Sequence, residues 1–158
     1  KLARVADAMG MEIVAAHQSS MNRLELPYEV EWLPVNEVFT RADFLSLNCP
    51  LTPETEKIVD AERLKKMKSS AIVINTGRGP LVDEQALADA LNSGTIAAAG
   101  LDVLNKEPPP GDNPLLSAKN CVITPHIAWA SKQARERLIA IASSNLLSYL
   151  SGVSKNRI

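Results

Sequence analysis

Short apolar runs alternating with helix-like stretches predict a doubly wound α/β domain built on a parallel sheet. Two features carry that expectation. Residues 71–75, 96–101 and 121–124 are apolar or small through most of their length, as strands covered on both faces are. Between the strands lie segments with their own helix-starting and helix-ending residues.

Taken in order, residues 2–9 carry Leu2, Val5, Ala6 and Met9 at helical spacing, and Gly10 ends the pattern. Residues 11–16 form a short apolar run that reads as a buried strand, and residues 29–33 alternate as a second. Pro34 precedes a short helix over 36–42, and residues 43–48 make a third strand, halted by Pro50 and Pro53. Asp60 suits the cap of a helix running through Met67, with Glu62 and Arg63 on its wet side. The strand at 71–75 is β-branched and bounded by Ser69-Ser70 and Thr76-Gly77. Asp83 opens a helix over 84–92 that Gly94 closes, and 96–101 is a strand of small residues. A proline-rich loop over 107–114 leads to the strand at 121–124. A long amphipathic helix follows, about 131–150, with Leu138, Ile141, Leu146 and Tyr149 on its apolar face.

The 158 residues make about one domain, and 46% hydrophobic with 22% charged is ordinary for a folded soluble chain. A net charge of −1 without a basic cluster gives no footing for binding nucleic acid or a membrane surface through bulk charge. The 4% aromatic content also argues against a base-stacking surface. No apolar stretch reaches the roughly 18 residues that span a bilayer. Cys49 and Cys121 stand far apart without metal-ligand spacing, so no metal site is expected and a reducing cytoplasm fits best. The chain opens inside a helical pattern, and a first strand is expected upstream of Lys1.

In open α/β sheets ligands bind beyond the carboxyl ends of the strands, so the loops there are where chemistry is expected. After 71–75 comes Thr76-Gly77-Arg78-Gly79-Pro80, where glycines admit close backbone approach and Arg78 offers a planar fork for a carboxylate. After 96–101 come Asp102 and then Glu107, set before three prolines. After 121–124 comes His126, one of two histidines, of the side-chain type best suited to move a proton near neutral pH. Singly, each also suits a plain reading: a surface arginine in a turn, a solvated loop acid, a structural histidine. Together they suit redox chemistry on a 2-oxo acid: an arginine to grip the acid, a histidine to move the proton, a glutamate to orient the histidine.

At four blocks the chain resembles the D-isomer-specific 2-hydroxyacid dehydrogenase family, nearest its glycerate dehydrogenase and hydroxypyruvate reductase branch. The blocks are NCPLTPET at 48–55, AIVINTGRGPLVD at 71–83, AAAGLDVLNKEPP at 97–109 and NCVITPHIAW at 120–129. The resemblance implies a Rossmann-type fold, with residues 1–158 forming a nicotinamide-dinucleotide domain that lacks its first strand and glycine-rich turn. It also implies that the final helix, 131–158 with its tail, leads toward a separate substrate domain. By the same likeness Arg78 binds the substrate carboxylate, His126 is acid in reduction and base in oxidation, and Glu107 hydrogen-bonds its imidazole. Cys49, Pro50, Thr55, Thr76, Gly77, Arg78, Asp102, His126 and Ala128 are implied to line the cofactor. Members that use NAD usually carry an acid after the second strand, where this chain reads Ala15-Ala16-His17-Gln18-Ser19-Ser20. His17 and Gln18 are the expected ribose neighbours, an ordinary polar loop being equally compatible. The implied cofactor is NAD, with NADP open. The implied activity is interconversion of a small 2-oxo acid, such as hydroxypyruvate, glyoxylate or pyruvate, with its D-2-hydroxy acid, in a cytoplasmic homodimer. The rival reading is a non-catalytic NAD(H)-sensing binding module, since corepressors resembling the family can keep the same Arg-Glu-His set.

Overall fold

The computed structural model describes residues 1–16 and 27–156, which fall into two units, Lys1–Ile123 and Thr124–Ile158. Among the described residues the first unit holds six parallel strands in two sheets. Strands β1 (Val14–Ala15) and β2 (Glu31–Trp32) pair with each other. Strands β3 (Phe44–Leu47), β4 (Ile72–Asn75), β5 (Ala98–Leu101) and β6 (Cys121–Ile123) lie side by side in chain order. Helix α1 (Leu2–Ala8) precedes β1, α2 (Val35–Arg41) connects β2 to β3, α3 (Ala61–Leu64) connects β3 to β4, and α4 (Glu84–Ser93) connects β4 to β5. This is the helix-connected parallel sheet expected from the apolar runs.

Register decides which side chains meet. Leu45, Val73 and Ala99 face one way across β3, β4 and β5, followed by Leu47, Asn75 and Leu101 one pleat further on, and all six are buried. Val59, Leu64, Leu81, Leu87, Leu91, Ile96 and Leu115 belong to the same core cluster. The opposite face is less covered: Phe44 is 54% and Val122 67% exposed, so the expectation of strands buried on both faces holds for one face only among the described residues. The strand read over 11–16 also shortens to Val14–Ala15, and Met11 is exposed. A short apolar run does not by itself fix its own ends.

Helix α4 shows why local signals were reliable where they agreed with packing. Asp83 caps it, its carboxylate accepting from the Ala86 N–H at 3.2 Å and pairing with Lys57 Nζ at 3.0 Å. Gly94 ends it in the left-handed region at φ 73°, and Thr95 N–H reaches back to the Ala90 carbonyl at 2.9 Å. The N–H bond from Ala86, and then Lys57, hold the Asp83 carboxyl below the usual carboxylate range. A lowered folded pKa stabilises the fold above the unfolded value and loses that contribution as pH falls through the folded one. Asp83→Ala is therefore expected to cost about 1 kcal/mol near neutral pH, with a smaller difference from the unsubstituted protein below about pH 4, in urea unfolding at both pH values.

Helix α3 is shorter than the span through Met67 that the sequence suggested. Asp60 does cap it, accepting from Arg63 N at 2.7 Å, but Lys66 and Met67 then bond three residues back, to the Arg63 and Leu64 carbonyls, in a tighter turn. Arg63 is not simply on the wet side. Its guanidinium pairs with Asp60, donates to Asn36 Oδ1 and the Ile58 carbonyl, and sits 5.9 Å from the centre of the Phe39 ring, tying α3 to α2.

The described part of the second unit comprises the turn after Ile123, helix α5 (Lys132–Leu150), capped by Ser131, whose hydroxyl accepts from Ala134 N at 3.2 Å, and a tail whose Lys155 Nζ donates back to Ser144 Oγ at 2.8 Å. The face expected to be apolar is not buried: Leu138, Ile141, Leu146 and Tyr149 are all exposed. Ile139, Leu147 and Leu150 are exposed as well and sit about 100° from those neighbours on the helix, which broadens the stripe the sequence suggested.

Candidate active site

The strand register brings the loops of interest to one edge. Leu47 pairs with Asn75, Asn75 with Leu101 and Leu101 with Ile123, so the residues leaving β3, β4 and β5 emerge side by side. Cys49 and Pro50 leave β3, Thr76 to Arg78 leave β4, and Asp102 leaves β5, its N–H bonded to the Asn75 carbonyl at 2.9 Å.

Asn75, which the sequence reading treated only as a strand end, shapes the arginine loop. It is fully buried; its Nδ2 donates to the Arg78 carbonyl at 2.9 Å and its Oδ1 accepts from Gly77 N at 3.0 Å. A buried amide that uses both its ends in this way fixes the turn of Thr76-Gly77-Arg78. Arg78 itself is exposed. Its guanidinium donates to the Gly77 carbonyl at 2.8 Å and pairs with no carboxylate among the described residues. A planar, permanently charged group in that position can grip an incoming acid with two parallel bonds.

The 3-10 turn Gly79–Leu81 follows and presses on the next loop. A Cβ on Gly79 would stand 2.1 Å from the Leu104 carbonyl carbon and oxygen and 2.5 Å from Asn105 N. Only glycine allows that backbone approach. On the far side of the contact the Leu104 N–H donates to Glu107 Oε1 at 3.0 Å, which orients the carboxylate within its own loop. The arginine and glutamate loops are thus in backbone contact. The segment 57–59 braces the arginine loop from below: Lys57 N bonds to Pro80 O, Val59 N to Leu81 O and Asp83 N to Val59 O.

The remaining expected cofactor neighbours fall into different settings. Thr76 and Pro50 are exposed at the strand ends, and Gly77 lies beside β3, where a Cβ would meet Leu47 O at 3.3 Å. Thr55 is buried, its hydroxyl donating to the Pro50 carbonyl and accepting from the Thr52 N–H, both at 2.7 Å, so it organises the 50–55 loop. Cys49 is half-buried against the core, and burial pushes its thiol up, keeping it protonated. Asp102 is buried. His17 and Gln18 lie outside the described residues. Pro50, Thr76 and Arg78 are exposed side by side at these strand ends, where a parallel sheet of this kind receives a dinucleotide.

In the second unit His126 is exposed and takes a left-handed backbone, φ 54°, a conformation uncommon outside glycine and seen more often at sites under functional constraint. The turn is pinned at both ends: His126 N–H bonds to the Thr124 carbonyl at 3.0 Å, and Trp129 Nε1 donates to the His126 carbonyl at 2.8 Å. Ala128, also exposed, lies within this turn. The locking role of Trp129 was not read from the sequence, where it stood only as the end of a motif. No group of acids, cysteines and histidines suited to hold a metal occurs among the described residues, and no helix there is long and apolar enough to cross a membrane.

A parallel α/β sheet that brings several loops together at its carboxyl edge is the architecture of the dinucleotide-binding class of domain. The family follows from comparison: a model of the D-isomer specific 2-hydroxyacid dehydrogenase NAD-binding domain matches residues 1–128, and the chain belongs to that family. It is 49% identical over 153 residues to a hydroxypyruvate reductase of Blautia hydrogenotrophica, covering 97% of this chain and 47% of that protein. It is 41% identical over 157 residues to a glycerate dehydrogenase of Methylorubrum extorquens, covering 98% and 48%. Among solved structures it superposes on the NAD-complexed D-isomer specific 2-hydroxyacid dehydrogenase of Lactobacillus delbrueckii ssp. bulgaricus with a TM-score of 0.86 at 32% identity, covering 98% of this chain and 50% of that one. The chain spans about half the length of the relatives it matches.

Proposed function

We propose that this chain is the cofactor-binding part of an oxidoreductase that interconverts a small 2-oxo acid, of the hydroxypyruvate or glyoxylate kind, with its D-2-hydroxy acid. The observation that carries the reading is the backbone contact at Gly79 and Leu104, which sets the Arg78 loop beside the loop in which Glu107 is held. The relatives named for hydroxypyruvate and glycerate favour the same substrate class.

When bound, the nicotinamide supplies a hydride to the carbonyl carbon. The chain's own residues do the rest. Arg78 holds the substrate carboxylate with two parallel N–H···O bonds and so turns the carbonyl carbon toward the hydride. His126, three residues beyond β6, gives its proton to the carbonyl oxygen as that oxygen becomes a hydroxyl, and takes it back in oxidation. Glu107 accepts from the other imidazole N–H and fixes the ring. Hydride to carbon and proton to oxygen complete the two-electron reduction.

The proposed whole enzyme adds a strand between β1 and β3, joining the two sheets, a glycine-rich turn for the pyrophosphate and a separate substrate domain. It works as a cytoplasmic homodimer with NAD in preference to NADP. The test is oxidation of NADH and NADPH by the complete protein across a panel of small 2-oxo acids. Turnover with at least one of them is expected, and none with any would overturn the reading. Within that assay Arg78→Ala is expected to lower kcat/KM by roughly 10- to 10²-fold, the loss of one charge-assisted pair to the substrate.

A further inference from the structure

Glu84 stands on the first turn of α4, outside the set of residues assigned to the reaction, yet its carboxylate reaches into the glutamate loop at two points. Oε1 accepts from the Asn105 N–H at 2.8 Å, and Oε2 accepts from Asn113 Nδ2 at 2.9 Å. Asn113 is buried and has no freedom to turn its amide over, because its Oδ1 already accepts from the Leu115 N–H at 3.0 Å. Leu104 and Asn105 are consecutive. The N–H of the first holds Glu107 and the N–H of the second holds Glu84, while the Gly79 backbone presses on the peptide between them.

We infer that Glu84 is a positioning residue for Glu107: its carboxylate clamps both ends of the 105–113 loop to α4 and so sets the Leu104 amide that aims the Glu107 carboxylate. The inference rests on the proposed role of Glu107. The chemistry requires an acceptor at both oxygens, which a carboxylate has and an amide lacks. In Glu84→Gln one end must set donor against donor. If Oε1 stays on Asn105 N–H, Nε2 faces Asn113 Nδ2, and turning Asn113 over would break its bond to Leu115. Glu84→Gln with Asn113→Asp restores the match. The glutamine Nε2 then donates to one aspartate oxygen, the other aspartate oxygen keeps the Leu115 N–H, and the net charge is unchanged.

The test uses the complete protein and two readouts. Amide hydrogen exchange at Leu104 and Asn105, followed by NMR, reads the clamp without any substrate; kcat and KM read its consequence. For Glu84→Gln the expected result is exchange at both amides at least about 10-fold faster and kcat lower by about 10-fold, with KM for the 2-oxo acid within about 3-fold. The double variant is expected to return both exchange and kcat to within about 3-fold of the unsubstituted protein, a coupling that a generally weakened helix would not give. Unchanged exchange in Glu84→Gln, or a double variant no closer to the unsubstituted protein than the single one, would overturn the inference. If the unsubstituted protein turns over no 2-oxo acid, the dehydrogenase reading fails, and the exchange arm still decides whether Glu84 clamps the loop.

Discussion

Replacing His126 by Asn in the complete protein is expected to lower kcat by about 10²- to 10⁴-fold while NADH affinity stays within about threefold. Asn is the better substitute than Ala because residue 126 sits at φ 54°, a conformation that Asn tolerates and Ala resists. The Thr124 and Trp129 bonds to this turn use the backbone of residue 126, so they survive the exchange. What disappears is the imidazole proposed to pass the proton to the carbonyl oxygen. Steady-state kinetics with a 2-oxo acid, set beside NADH titration by fluorescence, separate loss of chemistry from loss of cofactor binding. A kcat within a few-fold of the unsubstituted value would remove His126 from the mechanism.

Gly79→Ala is expected to be the most damaging of the glycine-to-alanine exchanges. The new Cβ would collide with the Leu104 carbonyl carbon and oxygen and with Asn105 N, all backbone atoms of a segment held by Leu104 N–H on Glu107 and by Asn105 N–H on Glu84 of α4. Overpacking a rigid contact costs about 1–3 kcal/mol and occasionally more, and here no flexible side chain can swing aside, so about 3 kcal/mol or greater is expected in urea unfolding. Kinetics should fall further than stability explains, since the added atom drives the Arg78 and Glu107 loops apart. Gly111→Ala is the control: nothing lies within 4 Å of a Cβ there, so a change under about 0.5 kcal/mol is expected. Equal effects at the two positions would deny the contact any special role.

Much of the architecture was legible because it is written locally. Asp83 and Gly94 bracket α4 in sequence as they do in space, and the β-branched run before Asn75 is a strand in both. The loops that hold Arg78, Glu107 and His126 are legible as the segments following apolar runs, and β4, β5 and β6 end just before them. What escaped was tertiary. Glu84 meets Asn105 and Asn113 across 21 and 29 residues, and Gly79 meets Leu104 across two elements, so no periodicity announces either contact. Asn75 was hidden for a different reason: a polar residue ending an apolar strand reads as a boundary, and only its complete burial shows it bridging the turn that follows. The apolar spacing of α5 suggested a buried face, and among the described residues Leu138, Ile141, Leu146 and Tyr149 stay exposed.

The most direct test of the account is a crystal structure of the complete protein with NAD and oxamate, an unreactive mimic of a 2-oxo acid. The oxamate carboxylate is expected to be held by both terminal nitrogens of Arg78. The His126 imidazole is expected about 3 Å from the oxamate carbonyl oxygen, with Glu107 on the opposite ring nitrogen. Oxamate bound away from Arg78, or His126 turned from the nicotinamide with Glu107 bonded elsewhere, would contradict it.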